Sequence, residues 1–215
     1  MPPKVLYFDL GNVLLGFSHE RMCRQMADLA GITAEAVREL LFADEGPDCA
    51  QWQIEDGRLD VEGYYRHFCA KMGRECDRAR LEIAASDIFW PLEETAALVR
   101  KLAAAKHRLG ILSNINPLHW RFVSDGRFPL LHRAGQPGSL FEFVVLSYEA
   151  KAMKPDQRIY QAAVDLTGAP ADQVFFVDDR ADNVAGALAA GLDAVPFVGV
   201  DQLVADLKQR GVCDI

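Results

Sequence analysis

Four short polar clusters carry the reactive side chains of this chain, and each ends or follows an apolar run. They are Asp9-Leu10-Gly11-Asn12, Ser113-Asn114, Lys154-Pro155, and Asp178-Asp179 with Asn183 close behind. Together they hold what phosphoryl transfer through an aspartate needs. Asp9 can attack phosphorus, Ser113, Asn114 and Lys154 can hold phosphate oxygens, and Asp179 can join Asp9 in binding a hard cation such as Mg²⁺.

Taken singly, each cluster has an ordinary reading. An Asp or a Ser-Asn pair after a strand serves most turns, and a Lys-Pro pair is usually surface. Gly11 would contribute only its backbone carbonyl. Asp178-Asp179 is more specific, because two adjacent carboxylates behind the buried run Val174–Val177 repel each other unless a cation or a lysine compensates. The joint occurrence of the four clusters in this order carries the reading.

These residues need a scaffold that brings them together. Lys4 to Asp9 reads as a buried strand feeding a loop. From about Ser18 to Phe89 the pattern is helical, with helices expected over His19–Ala30 closed by Gly31, after Thr33, before Gly57, after Asp60 and over Asp77–Phe89. Trp90-Pro91 marks a boundary. Helix and strand then alternate: helix Leu92–His107, strand Leu109–Ser113, a helical turn or two over Pro117–Ser124, and a loop over Asp125–Ser139. Strand Phe141–Leu146, helix Pro155–Thr167, strand Val174–Asp178, helix Asp182–Ala190 closed by Gly191, and strand Ala194–Val198 follow. Such alternation predicts an α/β, Rossmann-like fold, a parallel sheet with helices on both faces, interrupted by an inserted helical cap. The expected division is 1–15 with 88–215 for the α/β core and 16–87 for the cap. Ligands of such sheets bind beyond the carboxyl ends of the strands, where Asp9, Ser113 and Asp178 all fall.

Bulk properties narrow the partners. With 215 residues the chain suffices for one well-cored domain plus an insertion. A formal charge of −8 opposes an extended nucleic-acid contact but allows a small anion held by a local positive site. The start, Met-Pro-Pro-Lys-Val, lacks signal-peptide character and no apolar run approaches membrane-spanning length, so the expectation is a cytoplasmic protein with no membrane partner. Five cysteines without C-x-x-C spacing suggest neither a disulfide framework nor a zinc ribbon. His67, Cys69 and Cys76 read as faces of a helical segment rather than as ligands. Nothing in the sequence indicates oligomeric state.

The order and context of the clusters resemble the haloacid dehalogenase superfamily, most of whose members are phosphatases, over nearly the whole chain. The resemblance implies that Asp9 is nucleophile and metal ligand, that Ser113 and Asn114 bind substrate phosphate, and that Lys154 supplies charge to it. It further implies that Asp179 is the other acidic metal ligand, with the Gly11 carbonyl completing the set, that Asp178 and Asn183 support it, and that the helical block is a C1-type cap. Mg²⁺ is the implied cofactor and a small phosphorylated metabolite the implied substrate. The run Phe8-Asp9-Leu10-Gly11-Asn12-Val13 is similar to a sub-branch that includes α-glucose-1-phosphate phosphatases.

One position departs from the superfamily. Most of its phosphatases have an Asp two residues after the nucleophile as general acid and base, where this chain has Gly11. General acid catalysis is commonly worth about 10²–10⁴-fold, so substrates with acidic leaving groups, sugar 1-phosphates among them, are expected to be favoured. A haloacid dehalogenase would show a different first motif, and a phosphoglucomutase needs the acid that Gly11 replaces. The alternative from another class is a catalytically weak or inactive phosphate-binding or regulatory protein. Trp52, Arg58, Tyr64, Tyr65 and Arg66 in the cap, with His119 and Trp120 after the second cluster, are the candidates for touching substrate.

Overall fold

The computed structural model describes residues 2–42 and 48–213. In chain order the elements are β1 (Val5–Phe8), β2 (Leu15–Phe17), α1 (His19–Ala30), α2 (Ala34–Phe42), α3 (Ala50–Glu55), α4 (Val61–Met72), α5 (Arg78–Ser86) and β3 (Phe89–Pro91). Then come α6 (Glu93–Ala104), β4 (Arg108–Ser113), α7 (Pro117–Ser124), β5 (Phe143–Leu146), the single turn α8 (Ser147–Ala150), α9 (Gln157–Thr167), β6 (Val174–Asp178), α10 (Ala181–Ala189), β7 (Asp193–Pro196) and α11 (Val200–Gln209).

All four residues of β1 are buried. A strand without a solvent face needs partners on both edges and cover on both faces. β1 has them: the sheet runs β5-β4-β1-β6-β7, with every pairing parallel. Alternate side chains then enter separate cores. Leu6 and Phe8 pack with Ile111, Val177, Leu98 and Leu102 on one face, whereas Val5 and Tyr7 pack with Phe176, Ile159, Tyr160 and Ala163 on the other. The α/β fold with helices on both faces of a parallel sheet is therefore present, and so are the additional helices between its first strand and the rest.

The inserted helices begin where polar side chains satisfy the first free backbone N–H groups. Ser18 accepts from Arg21 N, Thr33 from Ala36 N, Asp60 from Gly63 N and Asp77 from Arg80 N. Gly31 closes α1 in the left-handed conformation, at φ 63°. The apolar sides of these helices continue the first core, through Met22, Met26, Leu41, Ile54, Phe68 and Leu81.

Several boundaries differ from expectation. The helix expected to run to Phe89 ends at Ser86, because Phe89–Pro91 pairs antiparallel with Leu15–Phe17 in a two-stranded neck at the root of the insertion. Three-residue ribbons made with a distant segment leave no local periodicity to read. Likewise, the expected loop over 125–139 contains a 3₁₀ turn, Pro129–Leu131, that buries Leu130 and Leu131. β5 starts at Phe143 rather than Phe141, and β7 ends at Pro196. No helix was expected after Val198, yet α11 forms and buries Leu203 and Leu207, a stripe too narrow to stand out in sequence.

Ser147, fully buried, pins the insertion to the sheet. Its Oγ donates to the Glu55 carbonyl at 2.6 Å and accepts from Ile115 N at 3.0 Å. Beside it, Lys151 Nζ donates to the Gly57 carbonyl at 2.6 Å. Ser147→Ala would orphan both backbone groups, a loss of about 1–3 kcal/mol. Chemical denaturation should therefore show a lower midpoint with an unchanged slope; an unaltered midpoint would refute the pin.

Candidate active site

Parallel pairing brings the carboxyl ends of β1, β4 and β6 to one edge of the sheet. Phe8 lies opposite Ile111 on one side and Val177 on the other. The Asp9 N–H donates to Val177 O at 2.9 Å, one step beyond the strand, so Asp9 and Asp178 emerge side by side. The chain turns back after β5 to place β6 on the far side of β1, so the two carboxylates flank the point where the strand order reverses.

Lys154 enters this edge from the loop before α9 and is almost fully buried. Its Nζ donates to Asp178 Oδ2 at 2.5 Å, Asp9 Oδ1 at 2.8 Å and Leu112 O at 3.0 Å. Three acceptors for three ammonium protons fix its direction. The loop itself is held by Asn114, whose Oδ1 accepts from Lys154 N at 2.8 Å while its Nδ2 donates to Lys154 O at 2.9 Å. Asn114 thus lines the cavity with its side-chain amide already engaged. Ser113 is different: the hydroxyl makes only a 3.5 Å contact to Asn114 O and stays available to a ligand.

Asp178 is saturated. Besides Lys154 it accepts from Arg180 N at 2.9 Å and from Asn183 Nδ2 at 3.0 Å. Asp179 is less buried and gives Oδ2 to Asn12 Nδ2 at 2.9 Å, leaving Oδ1 without a protein partner among the described residues. One carboxylate oxygen from each of Asp9, Asp178 and Asp179 lies within 4.8 Å of the others. An all-oxygen donor set suits a hard divalent cation. Since Asp178 is committed to its hydrogen bonds, Asp9 and Asp179 are the carboxylates with oxygens to offer.

The Asp9 carboxyl is pushed up to about 6 by burial and by the charge of Asp178, against the pull of Lys154. His119 is pulled down to about 3 by burial and stays neutral. Its ring nitrogens lie 3.0 Å from Asn116 Nδ2 and 3.0 Å from Ala85 O, so Nδ1 accepts and Nε2–H donates. That bond ties the end of α5 to the start of α7.

A cavity of about 330 Å³ opens above these groups. Every residue singled out from the sequence for the site lines it except Asp178, which lies buried beneath. Of the remaining candidates, Trp52 and His119 reach the cavity. Tyr64 is buried against Gln51, Tyr65 bonds Cys76 O, Arg66 pairs with Glu62, Arg58 pairs with Asp56, and Trp120 packs on the core. Sequence reasoning missed Phe17, His19, Glu55, Phe89 and Arg180 as lining residues. The first four come from the neck and the inserted helices, whose orientation over the site has no local signature. Arg180, directly after the acidic pair, was within reach of motif reading.

The chain is similar to known proteins over most of its length. The family described as haloacid dehalogenase-like hydrolase matches residues 3–191. Flavin mononucleotide hydrolase 1 of Arabidopsis thaliana is 26% identical over 160 residues, which are 74% of this chain and 61% of that protein. Bifunctional epoxide hydrolase 2 of Rattus norvegicus is 27% identical over 208 residues, 89% of this chain and 36% of that protein. The chain thus spans less than two thirds of either relative. A haloacid dehalogenase family enzyme from Bacteroides thetaiotaomicron, solved with magnesium and inorganic phosphate, superposes with a TM-score of 0.77 at 26% identity, covering 90% of this chain and 93% of that one.

Two outcomes follow from the charges. Asp9 must be ionised to take a cation and is half protonated at about pH 6. Mg²⁺ affinity of the free protein should therefore fall by up to about tenfold per pH unit below that value, with proton release on binding; calorimetry in buffers of different ionisation enthalpy measures both, and a flat affinity from pH 7.5 to 5 would contradict the assignment. Lys154→Met leaves Asp9 and Asp178 uncompensated, so the metal-free protein should lose about 3–5 kcal/mol. Mg²⁺ should restore part of that in thermal melts.

Proposed function

The chain belongs to the haloacid dehalogenase-like hydrolases, and we propose that it works there as a Mg²⁺-dependent phosphatase of small phosphate monoesters, with Asp9 as nucleophile. The observation that carries this reading is the buried Lys154 ammonium held between Asp9 and Asp178, beside a second acidic residue with a free oxygen. A positive charge fixed next to a carboxylate nucleophile under a small cavity suits an anionic substrate whose charge shifts during transfer.

In this reading the Asp9 Oδ1 is oriented by Lys154 Nζ and by Leu10 N at 2.7 Å, which leaves Oδ2 open to attack phosphorus in line with the leaving oxygen. Lys154 also offers its charge to a phosphoryl oxygen, and the Ser113 hydroxyl and backbone N–H groups of the 113–114 turn offer hydrogen bonds. The aspartyl phosphate so formed is opened by water. Asp9, Asp179 and the Gly11 carbonyl would hold Mg²⁺. The cation, when bound, neutralises phosphate charge and so allows an anionic nucleophile to approach.

Residues 16–87 serve as a cap that covers the site and limits it to small molecules. A cavity of about 330 Å³ supports that restriction. Within small monoesters, sugar 1-phosphates such as glucose 1-phosphate are the preferred class. An anomeric oxygen leaves more readily than an ordinary alcohol, and the D-L-G-N run resembles that sub-branch.

The test is phosphate release with Mg²⁺ from a panel holding glucose 1-phosphate, glucose 6-phosphate, flavin mononucleotide and p-nitrophenyl phosphate. Asp9→Asn should lower turnover on the order of 10³-fold or more, with the fold intact by circular dichroism. Undiminished turnover in that variant would remove the mechanism, and a phosphate-binding protein would release nothing in either form. Higher kcat/KM for the 6-phosphate than the 1-phosphate would overturn the substrate class alone.

A further inference from the structure

The space two residues past the nucleophile is filled, not merely vacated. A Cβ on Gly11 would lie 2.9 Å from Phe17 Cε1. That ring is braced by His19, 5.2 Å away between centroids, and by Phe89 at 6.2 Å. A proton donor cannot project from position 11 without displacing this aromatic cluster, so any donor must reach the cavity from another wall.

Besides Asp9, three carboxyl groups line the cavity: Asp179, bonded to Asn12, Asp182, paired with Arg180, and Glu55. Glu55 ends α3 and lines the same cavity as Asp9 and Lys154. Its placement is built: Gln51, itself buried, donates Nε2 to Glu55 Oε1 at 2.6 Å and is held in turn by Tyr64 OH at 3.3 Å. The Glu55 carbonyl is fastened to the sheet edge through Ser147. The other carboxyl oxygen, Oε2, has no protein partner among the described residues.

We propose that Glu55 is the proton carrier of this site, protonating the leaving oxygen as Asp9 attacks and then accepting a proton from the water that hydrolyses the aspartyl phosphate. This rests on the phosphatase reading given above. In the first step the bond from Asp9 oxygen to phosphorus forms, the bond from phosphorus to the leaving oxygen breaks, and the Glu55 proton moves to that oxygen. In the second, water oxygen bonds to phosphorus, the Asp9 oxygen departs as carboxylate, and the water proton returns to Glu55. Glu55 ends as it began.

The surroundings favour this group over its rivals. Burial pushes the Glu55 carboxyl up to about 7, with Asp56 acting in the same direction and the Gln51 hydrogen bond opposing, so it can both give and take a proton near neutral pH. The titratable groups that act on it are Asp56 at the end of its own helix and Tyr64 from α4, which in turn feels Cys23 of α1 and Cys49 before α3; Lys151 from α8 bonds the Gly57 carbonyl two residues on. Asp9, His19, His119, Lys154, Asp179, Arg180 and Asp182 share its cavity. His19 is held below the usual imidazole range by burial, with Arg38 adding to the shift. His119 has both ring nitrogens engaged.

Glu55→Gln, with fold and Mg²⁺ and inorganic phosphate binding checked, should lower kcat on glucose 1-phosphate by about 10²–10⁴-fold. With p-nitrophenyl phosphate, whose leaving group needs little protonation, the same variant should release about one equivalent of nitrophenolate per site in a burst. Slow turnover and phosphorylated Asp9 should follow. A purely structural loss would lower both substrates alike without a burst. Should Glu55→Gln not fold, Glu55→Ala recovering turnover with added formate is the equivalent supporting result. Equal loss on both esters without a burst, unaltered kinetics, or transfer of the leaving-group-dependent loss to His19→Gln would overturn the assignment while wild-type turnover left the phosphatase reading standing. No phosphate release by the wild-type protein would overturn both.

Discussion

The structure depends on one buried ammonium facing more negative charge than it can neutralise. Lys154 sits between Asp9 and Asp178 with a backbone carbonyl as its third acceptor, and Asp179 lies within reach of the same centre. Buried charges require partners, and buried like charges repel. Asp178 meets that requirement fully, through lysine, a backbone N–H and the Asn183 amide. Asp9 meets it only in part. An acidic group so placed beside a fixed ammonium suits a hard cation and a phosphoryl group, opposite in sign to each other.

A division of labour follows. Asp178, Asn183 and Asn114 never need to touch a ligand. Asp178 aims the lysine, Asn183 holds Asp178, and Asn114 clamps the lysine's own backbone to the loop after β4. The groups with open valences are Asp9, Asp179 and the Ser113 hydroxyl. Fixing a long flexible side chain in advance lowers the entropy cost of using it, while the burial that holds these groups together raises the Asp9 carboxyl.

Above this floor, the inserted helices form the other wall. They share one continuous apolar core with the sheet and are also fastened by polar contacts, Ser147 to the Glu55 carbonyl, Lys151 to the Gly57 carbonyl and His119 to the Ala85 carbonyl. Each such bond has its donor on the sheet side and a backbone carbonyl on the insertion. The insertion is thereby indexed to the site by its main chain, leaving side chains such as Trp52 free to vary at the rim. Phe17, in the neck, occupies the space that a side chain at position 11 would take, so the form of the neck and the glycine of the first motif are one constraint.

The sequence by itself determined the sheet, the order of its motifs and the floor of the site. Val5–Phe8 and Val174–Val177 are apolar runs without alternation, which only a doubly covered parallel sheet can bury, and parallel pairing sends Asp9, Ser113 and Asp178 to one edge without further information. Helix starts were legible for a local reason: Ser18, Thr33, Asp60 and Asp77 cap within three residues of themselves. Only the tertiary structure decided the two-stranded neck, the engagement of the Asn114 side chain with the Lys154 backbone, and the arrival of Phe17, His19 and Glu55 over this edge. Those depend on contacts between segments far apart in the chain. Glu55 has a carboxyl like any other in a helix until Ser147, 92 residues away, fixes its carbonyl, and burial then changes its acidity. Periodicity reports which face of an element is apolar, and it carries no information about what that face will meet.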